Sequence, residues 1–142
     1  MAKIGVPGLK ESDGEVFPVI NQGQYHCRIT SVDDSKELGP DSKYPGAQAI
    51  LFKAQVHTPG EAEHGFTLLW NQTIPNKDME DSYKSREVAK IKRLCIACGI
   101  DSDSDDFDTD DLMHAEFTAV VVVETKDGVK RNVIKDWLKV KE

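Results

Sequence analysis

Residues 85–99, SREVAKIKRLCIACG, contain the pattern on which the predicted fold depends. Apolar side chains recur there at the spacing of one helical stripe, namely Val88, Ile91, Leu94, Cys95 and Cys98. Gly99 follows where a left-handed helix cap is favoured. The sequence therefore predicts one amphipathic helix from Ser85 to the glycine. Its other face carries Arg86, Lys90, Lys92 and Arg93, which we interpret as a solvated basic surface.

Alternation of apolar and polar side chains predicts five strands around this helix. Three precede it, at Gln24–Val32, Gln48–Val56 and Phe66–Thr73, and two follow it, at Glu116–Glu124 and Arg131–Val140. Asp127-Gly128 favours a tight hairpin turn between the last two strands. Strand, strand, strand, helix, strand, strand is the element order of the five-stranded Greek-key barrel of the oligonucleotide/oligosaccharide-binding (OB) type. We therefore predict an all-β OB-fold barrel with one helix.

The length of 142 residues and the mass of 15.8 kDa fit one domain with a single core. We predict a flexible arm at residues 1–20, which are rich in glycine, proline and charge, and an OB-fold domain at residues 21–142. The arm lacks the apolar stretch of a secretory signal, and no later run approaches the ~18 apolar residues of a membrane span. We therefore expect a cytoplasmic protein without a membrane partner.

Three cysteines in a chain without a predicted export signal indicate reduced thiols. Cys95 and Cys98 form a CxxC pair, but the pair lies near the end of the predicted helix, whereas thiols are activated at helix starts. A zinc site would need a second pair or a cluster of histidines. We interpret both residues, and Cys27, as core residues and expect neither a metal nor a cofactor.

Residues 101–111, DSDSDDFDTDD, hold seven aspartates and no basic residue. Without these aspartates the formal net charge of −7 becomes zero, so the rest of the chain can present a cationic surface. An EF-hand would need glycine at Asp106 and glutamate at Leu112, which argues against calcium. We interpret the segment as an internal acidic loop that is solvated, or that competes with DNA phosphates for the cationic face.

The last predicted strand carries the most specific chemical pattern. If Ile134, Leu138 and Val140 face the core, the opposite face presents Arg131, Val133, Lys135, Trp137, Lys139 and Lys141. Single-stranded nucleic acid needs cations for its phosphates and aromatic rings on which unpaired bases stack. We therefore expect Trp137 to be solvent-exposed and to stack on a base. The alternative is that the lysines protect an edge strand and that Trp137 covers one end of the barrel.

In OB barrels the ligand face lies on the second and third strands, between two flanking loops. The predicted loop at 33–46 and the last hairpin both carry cations, and Lys53 is expected to point outward between them. Trp70 shares its register with Phe66 and Leu68, which favours a core position, with ligand contact as the alternative. The predicted nucleic-acid contacts are Arg28, Lys36, Lys43, Tyr44, Lys53, Trp70, Lys126, Lys130, Arg131, Lys135, Trp137 and Lys139.

Catalytic patterns are missing from the sequence. The four histidines lie on separate predicted elements, without a nucleophile motif, a zinc-protease motif or a phosphate-binding glycine loop. We therefore predict a binding protein and not an enzyme. The alternative to nucleic-acid binding is an OB-fold protein–protein interaction module, which would bind a partner or form a homodimer through Val120 and Val122.

The chain resembles a family of small phage-encoded single-stranded DNA-binding proteins with the OB barrel. The resemblance runs from Val19 to Val140 and is carried by GQYHCRI (23–29), Lys43-Tyr44, LCIACGI (94–100) and RNVI (131–134). It implies binding of single-stranded DNA with little sequence preference during phage DNA replication or recombination, in the host cytoplasm, alongside replication or recombination proteins. Many single-strand binders recruit partners through an acidic C-terminal tail. This sequence instead ends LKVKE and has its acidic run inside the chain.

Overall fold

The computed structural model describes residues 2–7, 9–10, 19–100 and 106–140. Within them the chain forms β1 (Gly23–Glu37), β2 (Gln48–Val56), β3 (Thr67–Thr73), α1 (Asp81–Ala97), α2 (Thr109–Leu112), β4 (Glu116–Lys126) and β5 (Val129–Leu138). The predicted order of three strands, one main helix and two strands is confirmed. The short helix α2 was not predicted.

The five strands form one antiparallel sheet with the hydrogen-bonded order β3-β2-β1-β4-β5. β3 and β5 stand at opposite ends of this order, yet they contact each other. The sheet is therefore curled, as in a small barrel, and α1 packs against β5, β3 and β4 beside the place where the two end strands meet. This arrangement leaves β3 and β5 close together without a hydrogen-bonded ladder between them.

β1 is much longer than predicted and reaches Glu37. Its pairing with β2 shifts register between Ile29 and Ser31 and again between Asp33 and Lys36. Such bulges bend a strand, which lets β1 pair with β2 from Cys27 to Glu37 and with β4 from Gly23 to Arg28. Lys36 therefore lies in a strand opposite Ala49, and the prediction that it belongs to a loop is wrong.

The core lies inside the curled sheet and under α1. Its largest fully buried side chains include Ile29, Phe52, Leu68 and Phe117, one from each of the first four strands. These residues alternate with exposed ones on β2 and β3, so the predicted inner and outer faces of those two strands are confirmed. The outer face of β3 comprises Thr67, Leu69 and Asn71.

The three thiols belong to this core or to its edge. Cys27 and Cys95 are buried and Cys98 is half-buried, and none forms a disulfide. Burial raises the pKa of Cys27 and of Cys98 to about 12, and burial also raises the pKa of Cys95. The interpretation of these cysteines as packing residues is confirmed, because a buried thiol that stays protonated is a poor nucleophile.

α1 begins one turn before the predicted start, at Asp81, and its end is as predicted. Gly99 has a φ of 74°, and the Ile100 N–H donates to the Cys95 carbonyl at 2.9 Å, which is the bond that spans six residues in a Schellman cap. The predicted apolar stripe is wrong at Val88, which is 54% exposed, whereas Glu87 is buried. Glu87 tolerates burial because its carboxylate accepts hydrogen bonds from neighbouring side chains.

β5 contains an irregularity that reverses the predicted faces of its second half. Val121 of β4 pairs with Ile134 and Val120 pairs with Asp136, so Lys135 is an extra residue without a direct partner. One extra residue moves every later side chain to the opposite face. Trp137 is consequently buried, at 8% exposure, and Leu138 takes the other side. The prediction of an exposed Trp137 is wrong.

The end of the acidic segment is attached to the domain. Asp108 caps α2 by accepting a hydrogen bond from the Asp110 N–H at 2.9 Å, and Leu112 is fully buried. Phe107 also packs against the core. The aspartates at 106, 108, 110 and 111 are exposed, whereas residues 101–105 lie outside the described residues, and for them the solvated-loop interpretation stays a prediction.

Candidate functional site

A cleft of about 530 Å³ lies where β3, α1 and β5 meet. Its three walls follow from the curled sheet, since β3 and β5 approach each other without pairing and α1 lies across their junction. The residues lining it are Leu69, Trp70, Asn71 and Gln72 of β3, Arg86, Ala89, Lys90 and Arg93 of α1, and Arg131, Asn132, Val133, Ile134, Lys135 and Trp137 of β5. None of these described lining residues is acidic.

Two tryptophans from opposite ends of the sheet meet in this cleft. Trp70 lies on the inner side of β3, where its ring stacks on Phe52 with centroids 4.9 Å apart. The ring of Trp137 reaches it from β5, with a centroid distance of 6.1 Å. The β5 bulge makes this contact possible, because without the extra residue Trp137 would face outward. The cleft thus has an aromatic wall that no single strand could supply.

Both indole N–H groups are buried, and within the described part of the chain neither has a hydrogen-bond partner. A buried donor without an acceptor costs about 1–3 kcal/mol, so native structures rarely keep one. A bound molecule with carbonyl or ring-nitrogen acceptors would remove this cost. The two orphaned donors therefore mark the aromatic wall as a place where a ligand adds what the protein lacks.

The helical wall is cationic. Arg86, Lys90 and Arg93 stand at i, i+4 and i+7 and therefore share one face of α1. Lys90 pairs with Glu87 at 3.3 Å, and Arg93 pairs with Asp136 at 3.6 Å. Arg86 lies over the ring of Tyr83, 5.3 Å from its centroid. Two of the three cations thus have an acidic partner, whereas Arg86 has none among the described residues.

The β5 wall adds two cations, Arg131 and Lys135. Both are exposed, and among the described residues neither forms an ion pair with an acidic side chain. Together with Arg86 they place three uncompensated positive charges on two walls of one cleft. Such a concave surface attracts anions because its low-dielectric walls concentrate the field.

A buried polar pair fixes the junction of β3 and α1. Gln72 donates from Nε2 to Glu87 Oε2 at 2.8 Å and to its neighbour's carbonyl, Thr73 O, at 2.9 Å. Glu87 in turn accepts from Lys90 Nζ at 3.3 Å. Because both Gln72 and Glu87 are buried, breaking the pair would leave a carboxylate without its partner. The pair therefore sets where the helical cations stand relative to the aromatic wall.

The N-terminal segment reaches the rim of the cleft through Asn132. The Ile20 N–H donates to Asn132 Oδ1 at 2.9 Å, and Asn132 Nδ2 donates to the Ile20 carbonyl at 2.9 Å. Gln22 Oε1 also accepts a bond from the Val123 N–H at 3.1 Å. Residues 1, 8 and 11–18 of the predicted arm lie outside the described residues, and its last residue, Ile20, is hydrogen-bonded to β5.

Four of the twelve predicted contact residues meet in the cleft, namely Trp70, Arg131, Lys135 and Trp137. Of these, Trp137 is buried and not exposed, so its predicted position on one outer face with Arg131 is wrong. The prediction that Trp70 belongs to the inner register of β3 is confirmed, and its alternative role at a ligand site fits its position in the cleft. Nucleic-acid contact by all four stays a prediction.

The β1–β2 loop is fixed to α1. Lys43 Nζ pairs with Glu80 Oε2 at 3.0 Å, and this bond raises the pKa of Lys43. The Tyr44 hydroxyl accepts a bond from the Glu80 N–H at 3.1 Å, and its ring lies 4.8 Å from that of Tyr83. Lys36 lies 3.7 Å from Asp33. These three predicted contacts are therefore already engaged by the protein.

The remaining predicted contacts do not line the cleft. Lys53 is exposed on the outer face of β2, directly opposite Leu69 of the cleft rim. Lys126 and Lys130 lie in the β4–β5 hairpin, whose turn residues Asp127 and Gly128 have positive φ, as predicted for a tight turn. Lys139 follows β5 and is exposed, and Arg28 lies 4.0 Å from Glu116.

The helical cations are the part of the cleft that the sequence analysis missed. The sequence identifies Arg86, Lys90, Lys92 and Arg93 as one basic face, which is interpreted above as solvated. The contact between β5 and β3 in the curled sheet was needed to show that this face lines a cavity. No local sequence signal marks this side of α1, because Glu87 is buried against Gln72, which lies on another element.

The histidines are closer together than their separation in sequence indicated. The rings of His26 and His57 lie 5.7 Å apart, and those of His57 and His64 lie 5.6 Å apart. His26 Nε2 contacts Glu116 Oε1 at 2.9 Å, and His64 Nδ1 accepts a bond from the Thr58 N–H at 3.1 Å. In the part of the chain that the structure describes, no group of three or more candidate ligands has the geometry to hold a metal ion.

No protein-family model matches this chain, and no curated protein sequence is significantly similar to it. None of the helices in the described ranges has the length and apolar character required to cross a bilayer. Evidence for the function therefore comes from the chemistry of the cleft and of the surface around it.

Proposed function

We propose that this protein binds single-stranded DNA with little sequence preference, that it does so without catalysis, and that it acts in phage DNA replication or recombination. The observation that carries the proposal is the cleft between β3, α1 and β5, where two indole rings and five cationic side chains share one concavity without an acidic lining residue. Phosphates need the cations, and an unpaired base needs the aromatic wall.

The topology supports the same proposal. Three strands, a helix and two strands in a curled sheet, with the end strands β3 and β5 in contact, are what an OB barrel requires. In such a barrel the outer surface of β2 and β3 takes the ligand strand. Here that surface carries Lys53 and Leu69 and leads directly to the cleft. We infer a path for the strand from Lys53 across Leu69 to the two tryptophans.

Unpaired DNA fits this site better than duplex DNA. The aromatic wall is recessed between three elements, so a base must leave its stack to reach it. A duplex presents only its phosphates, which would meet the cations but not the indoles. The proposal therefore requires a preference for single strands that increases when the electrostatic contribution is screened by salt.

The direct test is a fluorescence-anisotropy titration of labelled oligo-dT and of a matching duplex at low and moderate salt. We expect tighter binding of oligo-dT, weakening as salt rises, and quenching of tryptophan fluorescence on binding. Equal affinity for the duplex, or no binding at low salt, would refute the proposal. Gel filtration of the same samples distinguishes the alternative interaction module, which would change its size without responding to oligonucleotide.

A further inference from the structure

We propose that the cleft is a pocket for one nucleotide unit, an aromatic base carrying a phosphate, and that it binds a free nucleoside monophosphate as well as a strand. This inference rests on the proposed function and specifies its ligand. A continuous groove would bind only a polymer, because each unit would contribute little. A pocket that contacts both the base and the phosphate of one nucleotide can bind that nucleotide without the rest of the strand.

The size of the cleft favours a single unit. Its volume of about 530 Å³ lies within the range of about 300–1,000 Å³ that is usual for small-molecule sites. It is closed by three different elements and not by one flat face of the sheet. Apolar or aromatic side chains and cationic side chains both line it, so one ligand can contact both kinds of surface.

Three cations of the cleft are available to contact a phosphate. Lys90 and Arg93 are already paired with Glu87 and Asp136, whereas Arg86, Arg131 and Lys135 form no ion pair among the described residues. These three free cations come from both the helical wall and the β5 wall. Arginine donates two parallel hydrogen bonds to a phosphate, which makes Arg86 and Arg131 the principal expected contacts.

The base would lie against the aromatic wall formed by the two tryptophans. The Trp137 side chain is more than nine-tenths buried, and its N–H has no partner in the described structure. The N–H of Trp70, about 6 Å away by ring centroids, has none either. Every nucleobase carries carbonyl or ring-nitrogen acceptors on its edge. A base at this wall would therefore supply acceptors that the protein does not provide, without selecting one base over another.

The experiment is an NMR titration of ¹⁵N-labelled full-length protein that follows the two indole N–H resonances, which are assigned with Trp70→Phe and Trp137→Phe. The probes are thymidine 5′-monophosphate, thymidine and inorganic phosphate. We expect the monophosphate to shift both resonances and to bind more tightly than either of the other probes. Arg131→Gln should weaken its binding roughly tenfold or more, because a charged hydrogen-bond donor is lost.

Lys53→Gln is the matched control, since Lys53 lies outside the cleft. Lys53 and Arg131 are both exposed, so we expect both variants to fold. It should leave monophosphate binding unchanged and weaken only oligo-dT binding. If oligo-dT shifts the indole resonances but the monophosphate does not, at concentrations up to roughly 10 mM, the pocket inference is wrong and the proposed function stands. Equal binding of inorganic phosphate and the monophosphate would also overturn it. Binding of the monophosphate without oligo-dT would instead refute the proposed function.

Discussion

Replacing Trp137 by alanine tests the position of the β5 bulge, on which the geometry of the cleft depends. If the bulge is at Lys135, the indole is buried in the core and contacts Trp70. Truncating a buried tryptophan costs about 3–5 kcal/mol of unfolding free energy. Because the lost N–H has no partner, its removal offsets about 1 kcal/mol of that cost. We therefore expect a net loss near the lower end, about 3 kcal/mol.

The assay is urea unfolding followed by far-ultraviolet circular dichroism, with thermal melts alongside. For a domain of this size the expected loss corresponds to a decrease in Tm of about 10 °C. The slope of the free energy against urea should not change, since the variant keeps the same fold. Both measurements are made without DNA, so they report on packing alone.

Val88→Ala provides the control, because Val88 is 54% exposed although its spacing matches the predicted apolar stripe. Its effect should stay within about 0.5 kcal/mol. The reasoning is refuted if Trp137→Ala costs less than about 1 kcal/mol, which is the expectation for an exposed ring. In that case β5 keeps simple alternation and Trp137 does not belong to the wall of the cleft.

Three further outcomes follow from the structure. Gly99→Ala should lower the free energy of unfolding by about 1–2 kcal/mol in urea melts, because a φ of 74° is strained for alanine; a neutral result would mean that α1 does not end in this cap. At pH 8 the native thiols should react with iodoacetamide far more slowly than the urea-unfolded thiols. The reason is that a pKa of about 12 at Cys27 and Cys98 leaves roughly one thiolate in 10⁴. Equal rates would show that these thiols are accessible. A variant with a Gly/Ser segment in place of residues 101–106 keeps the anchors Phe107 and Leu112. It should bind oligo-dT more tightly in the anisotropy titration, because the aspartates no longer repel the phosphates. Weaker binding would mean that the aspartates support the site.

The element order could be predicted because its signals are local. Helical spacing ending at Gly99 and alternation in β2 each depend on neighbours within a few residues, and both appear in the structure. The tight turn at Asp127-Gly128 is local too. The curling of the sheet is different in kind, because the contact between β3 and β5 joins residues that are far apart in sequence.

The cleft could be predicted only in part for the same reason. One extra residue at Lys135 moves Trp137 from the predicted outer face to the core, and nothing in the alternation of residues 131–140 marks where that residue is inserted. The prediction of which face of α1 is buried is wrong at Glu87 as well. A charged residue is expected on the exposed face, but the bond to Gln72 stabilises Glu87 in a buried position. Long-range polar pairing of this kind leaves no periodic signal.

If the cleft between β3, α1 and β5 binds single-stranded DNA, a lysine inside it contributes to the salt dependence of oligo-dT affinity and a lysine outside it does not. Two matched lysine variants measure this difference. Lys135 lies in the cleft, whereas Lys77 is equally exposed in the β3–α1 connection outside it. Lys135→Gln should weaken binding and reduce the slope of log K against log salt by about 0.7, the counterion released per phosphate on single strands. Lys77→Gln should change neither quantity. Equal slopes for wild type and Lys135→Gln, or equal effects of the two variants, would contradict the account.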